Sequence, residues 1–164
     1  ELIIQRAYID NYGKQPIECG IDVVTVDSLA FQRYCELASL ICKHLTIVTD
    51  NDGNVSAVIN RYKKYGDLVT LCVEQDDSLK TLEPSVLAAN MDNFEEFRAI
   101  IYLGNDIQTR DAESILNFMR GNKTEWSMRV FTNEKNIVYP QYILKAIGIT
   151  KESKDDSSEA SADE

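Results

Sequence analysis

This 164-residue chain has a single histidine, three prolines and seven glycines, and its four cysteines form no CxxC pair. With one imidazole, His-based nucleophilic triads and His-rich zinc hydrolase sites lack their material. His44 itself falls near the end of an expected helix, where a capping or surface role suits it. Cys19, Cys35, Cys42 and Cys72 lack zinc-ligand spacing. They are expected to be buried free thiols of a reducing cytoplasm, with Cys35 and Cys42 on one helical face. No apolar run approaches membrane-spanning length, and no signal-peptide pattern opens the chain. The phosphate loop GxxxxGK[ST], the dinucleotide fingerprint GxGxxG and the GxSxG elbow are all missing.

Positive charge is also in deficit. Seventeen Lys and Arg stand against 27 Asp and Glu, for a net charge of −10. Six acids and two lysines after Ile149 place −4 of this in the last fifteen residues, which are expected to form a disordered acidic tail over 150–164. The folded part, residues 1–149, keeps −6 and is no passive DNA-coating protein, since that affinity comes from Lys and Arg neutralising phosphates. A carboxylate-built site is itself negative until a cation binds, so the balance leaves metal-dependent phosphate chemistry open. The first residues, Glu1-Leu2-Ile3-Ile4, lack an initiator methionine and suggest a fragment or an excised domain.

What is present is a hydrophobic fraction of 44%, enough for one domain with a real core. Apolar periodicity predicts helices over 2–12 and from Asp27 or Ser28 to Lys43, the second with Tyr34, Leu37, Ala38 and Ile41 as its buried stripe. Further helices are expected over 55–64 (closed by Gly66), 84–90, 94–103, 109–119, 123–132 and 140–147. Ile21–Val26, Leu45–Thr49 and Asp67–Glu74 read as strands. Strands alternating with helices imply an α/β fold with a parallel sheet, followed by a helical C-terminal part.

The chemistry concentrates at Leu45–Asn54, LTIVTDNDGN. A buried strand ends in Asp50 and Asp52, and in an open parallel sheet ligands bind at that carboxyl end. Two carboxylates at i and i+2 across a turn can converge on a hard cation such as Mg²⁺ or Mn²⁺. Asp-Asn-Asp-Gly is equally an ordinary turn sequence. A calcium EF-hand loop is excluded, because counting from Asp50 puts glycine at position four and Arg61 at position twelve. Glu83, in Thr81-Leu82-Glu83-Pro84-Ser85, follows the third strand and so falls on the same edge. There it can serve the helix dipole or a cation. Lys123 opens a helix, where the macrodipole disfavours a cation unless an anion such as phosphate sits there. Trp126 reads as a core anchor.

The ordered set TIVTDNDGN, TLEPSVL and GNKTEWSMRVF resembles the C-terminal Toprim domain of OLD-family nucleases, and among them the Gabija-type antiphage nucleases. The resemblance covers residues 1–149. It implies Asp50, Asp52 and Glu83 as ligands of one or two Mg²⁺ or Mn²⁺ ions and Lys123 as the catalytic lysine. It also implies DNA as substrate, an upstream ABC-type ATPase domain and a homo-oligomeric full-length protein. A Toprim domain opens with a strand bearing a further glutamate motif. That strand is absent here, so the resemblance implies an incomplete sheet, with Glu1 near the motif's last acidic position. The alternatives are a non-catalytic Toprim-like assembly module and a phospho-acceptor receiver domain. Lys123 at a helix start argues against the receiver.

Overall fold

The computed structural model describes residues 1–26 and 30–149. The chain folds as a mostly helical α/β protein around a small parallel sheet. Leu2–Tyr12 forms helix α1, ended by Gly13 at φ +66°, whose N–H donates to Ile9 O. Helix α2 (Phe31–Leu40) leads into strand β1 (Leu45–Thr49). Helix α3 (Val55–Tyr62) and a 3₁₀ turn over Lys63–Leu68 then deliver strand β2 (Val69–Val73). The remaining helices are α4 (Leu82–Ala89), α5 (Phe94–Ile101), α6 (Ala112–Gly121), α7 (Lys123–Thr132) and α8 (Gln141–Ala146).

β1 and β2 pair in parallel, with Leu45 opposite Val69 and Thr49 opposite Val73. Strand alternation sorts their side chains to two faces. Ile47 and Val73 join Cys35 of α2 and Val55, Val58 and Tyr62 of α3 in one apolar cluster. Val48 packs from the sheet onto the larger cluster, where Trp126, Phe97, Ile101, Ile115, Met119 and Ile143 tie α5 to α8 together. The sheet thus lies between α2 and α3 on one face and the C-terminal helices on the other. Trp126 is the core anchor expected of it, at 1% exposure.

Three expectations are corrected. Ile21–Val26 is not a strand and belongs to no ladder. It runs beside β1 but across a cavity of about 290 Å³, lined by Ile4 and Tyr8, by residues 21–26, and by Thr46 and Val48. A strand without a neighbour at hydrogen-bonding distance has nowhere to place its backbone groups. Secondly, α2 turns a different face inward. Cys35 and Ala38 are buried, whereas Tyr34, Leu37 and Ile41 are 41%, 52% and 56% exposed. The helix also stops at Leu40, because Cys42 at φ +52° reverses the chain, so Cys42 is exposed and off the helix. Asp27 and Ser28, the expected caps, lie outside the described residues, as does the tail from residue 150. Thirdly, Cys19 and Cys42 are exposed, and only Cys35 and Cys72 are buried, all four as free thiols. His44, beyond the end of α2, is exposed beside the Thr70 hydroxyl at 2.9 Å. Among the described residues no helix is long and apolar enough to cross a membrane.

Candidate functional site

The loop after β1 is laced to the loop after β2. Asn51, wholly buried, donates from Nδ2 to Glu74 O at 3.0 Å and to Asp76 O at 2.8 Å. Its Oδ1 accepts the Gly53 N–H at 2.8 Å. The Asp52 N–H donates to Lys80 O, and the Val55 N–H to Asp77 Oδ1. Asn54 caps α3 by accepting from the Ala57 N–H at 2.9 Å. These bonds force two consecutive left-handed residues, Asp52 at φ +52° and Gly53 at φ +82°. A Cβ on Gly53 would stand 3.1 Å from Lys80 Cε, a flexible neighbour, so the backbone conformation is the larger obstacle. Gly53→Ala is expected to destabilise the fold by about 1–2 kcal/mol, read as a lower urea midpoint at unchanged slope.

Asp50 leaves the strand half-buried and accepts a hydrogen bond from the Leu82 N–H at the start of α4. Burial raises its carboxyl above the ordinary aspartate value, and the Glu83 and Asp52 carboxylates push it further. Lys123 and the Leu82 N–H oppose that rise. Glu83 comes from the first turn of α4, which begins two residues earlier than the sequence suggested and carries Pro84 where a helical N–H is dispensable. Glu83 is only 4% exposed. Its Oε1 lies 3.2 Å from Lys123 Nζ, and its Oε2 accepts the Thr81 hydroxyl at 2.7 Å. Lys123, the first residue of α7, keeps its side chain two-thirds exposed.

Asp50, Glu83 and Lys123 line one cleft of about 570 Å³ together with Glu1, Thr25, Trp126 and Tyr142. Asp52 is exposed and outside the lining, yet near enough for its charge to act on Asp50. Three segments remote in sequence thus meet at the carboxyl edge of the sheet. Glu1 is part of this cleft, accepting from Gln5 Nε2 at 3.1 Å and from the Thr25 hydroxyl at 3.0 Å. Tyr142 carries no sequence signal beyond its place after Pro140. Burial, then the charges of Asp50, Glu74 and Glu83, holds its hydroxyl protonated far above the ordinary range, against the Ser85 hydroxyl, which favours ionisation.

Among the described residues no three acid, histidine or cysteine side chains stand close enough together to hold a metal as they are. Glu83 is turned onto Lys123. The donor set is nonetheless all oxygen, as a hard cation requires, and Asp50 is raised first by burial and then by the Glu83 and Asp52 charges that a cation would offset. No family model matches the chain, and neither a curated protein nor a solved structure gives a significant match.

Proposed function

We propose that this chain is the C-terminal Toprim part of an OLD-like DNA endonuclease that hydrolyses phosphodiester bonds with Mg²⁺ or Mn²⁺, in cytoplasmic antiphage defence. The observation that carries the reading is the meeting of Asp50, Glu83 and Lys123 in one cleft at the carboxyl edge of a parallel sheet, with the Asp52 charge acting on Asp50. Asp50, Asp52 and Glu83 would hold one or two ions. Such ions supply an activated water and charge stabilisation for the leaving oxygen. Lys123, exposed and at a helix start, exchanges Glu83 for a phosphate oxygen and neutralises the charge that grows there. Tyr142 stays protonated and closes the floor of the cleft without adding an anion. DNA is the substrate, and an upstream ABC-type ATPase domain and self-association of the full-length protein complete the assembly.

With Glu83 held on Lys123 and Asp52 outside the cleft lining, the 164-residue chain by itself is expected not to cut DNA, and Mn²⁺-dependent nicking by it, abolished by Asp50→Ala, would overturn this part of the reading. The Glu83–Lys123 ion pair also suits a non-catalytic assembly module, whose charges are already satisfied internally. Thermal unfolding with Mn²⁺ separates the two. A site saturated at about 100 times its dissociation constant gains about 2.7 kcal/mol, about 5–10 °C for a chain of this size. No shift in wild type, or the same shift in Glu83→Gln, would favour the inert module.

A further inference from the structure

Three carboxylates line the cleft, those of Glu1, Asp50 and Glu83. Lys123 is the one cationic side chain lining it among the described residues. Its ammonium lies 3.2 Å from Glu83 Oε1, and its charge reaches Asp50 as well. The chain therefore supplies its own counter-ion to carboxylates that the proposed function gives to a divalent cation.

The two members of this pair differ in freedom. Glu83 is buried in the first turn of α4, directly before Pro84, and its Oε2 accepts the Thr81 hydroxyl at 2.7 Å. Thr81 stands at the helix start without capping it, so its hydroxyl holds the carboxylate instead. Lys123 has no such restraint. Its side chain is two-thirds exposed, Glu83 is its sole ion-pair partner among the described residues, and a flexible four-carbon stem lets the ammonium swing away. A buried carboxylate left without a counter-ion is costly. Departure of Lys123 is thus tied to arrival of another cation.

We infer that Lys123 is an internal competitor of the divalent cation: it pairs with Glu83 in the metal-free protein and yields that carboxylate only to the cation, which frees its ammonium for a phosphate oxygen. This role rests on the metal-site reading above and gives it a regulation, in which the lysine is offered to an anion only once the carboxylates are neutralised. It also fixes a sign. Removing a lysine that helped to build the site would weaken cation binding, whereas removing a competitor strengthens it.

Calorimetric titration with Mn²⁺ and thermal unfolding test this in wild type, Lys123→Met and Lys80→Met. Lys80 lies beside Gly53 and has no ion pair among the described residues, so its variant is the charge-matched control. Without metal, Lys123→Met melts below wild type, because Glu83 stays buried and loses its counter-ion. It binds Mn²⁺ about fivefold more tightly, the scale of one partly exposed ion pair that no longer has to be broken. Lys80→Met stays near wild type in both respects. In wild type, labelling of Lys123 by an amine-reactive reagent, read by mass spectrometry, rises when Mn²⁺ is added, and labelling of Lys80 does not. If wild type and Lys123→Met both bind Mn²⁺ and the variant binds no more tightly, the competitor role falls and the metal site stands. The same holds if Lys80→Met gains as much, or if Lys123 labelling is indifferent to bound Mn²⁺. If neither wild type nor Lys123→Met binds Mn²⁺, the metal-site reading falls and the competitor role with it.

Discussion

Asp52→Asn and Asp50→Asn each lower metal-dependent DNA cutting by the full-length protein about a thousandfold or more, the scale expected when charge stabilisation at phosphate is lost. Their effects on stability separate them. Asp52 sits at φ +52°, a conformation asparagine adopts as readily as aspartate, so its turn survives and the melting temperature stays put. Asp50 is different, because its folded-state carboxyl is raised by burial and by Glu83 and Asp52. The native state therefore binds the proton more tightly than the unfolded chain does. Stability falls as pH rises from the unfolded aspartate value, about 3.9, through the raised folded one, and stays lowered at neutral pH. Removing the charge returns that loss. Without metal, Asp50→Asn melts above wild type at pH 7. The gap narrows as pH approaches the ordinary aspartate range. With Mn²⁺ the order reverses, because only the charged site gains the ion. Unchanged cutting in either variant would remove the assignment. A metal-free Asp50→Asn melting below wild type at pH 7 would refute the electrostatic account of that residue.

Asn51→Ala is the second large effect. The wholly buried amide joins the β1 loop to the β2 loop by two hydrogen bonds and holds Gly53 of its own loop by a third. Its loss strands the Glu74 and Asp76 carbonyls and the Gly53 N–H. Each orphaned, part-buried group costs about 1 kcal/mol, so about 3 kcal/mol is lost and the melting temperature falls about 6–12 °C. Asn51→Asp is nearly isosteric but cannot donate to the two carbonyls, and it should fare no better. Both variants also release the loop that aims Asp50 and Asp52, so their Mn²⁺ stabilisation shrinks although no carboxylate has been removed. Urea unfolding and the Mn²⁺ melting shift measure the two consequences separately. A stability change under 1 kcal/mol would show that the loops hold each other without Asn51.

Much of this architecture is local and therefore legible. Leu45–Thr49 and Lys123–Thr132 fall where apolar period and turn residues put them, because both depend on neighbours a few positions away. The grouping of Asp50 and Glu83 follows as well, since both come just after parallel strands and parallel strands end on one edge. The inner face of α2 was not legible. Its sequence offers two apolar stripes at helical spacing, and the choice between them rests on which meets Ile47 and Val73. Nor was the fate of Ile21–Val26, whose valine-rich sequence is a good strand but whose pairing needs a neighbour that does not lie beside it. Asn51 gave no sign of itself between two conspicuous acids.

Sequence by itself determined the parallel α/β unit, the carboxylates after its strands and the chemistry open to them, for these follow from residue type, period and turn position. Tertiary structure alone decided that Glu83 would be buried against Lys123, that Asp50 would be charged at a cost, and that the sheet would have two strands among the described residues. Burial, charge proximity and strand pairing are properties of contacts between segments far apart in the chain, and periodicity within one segment carries no record of them.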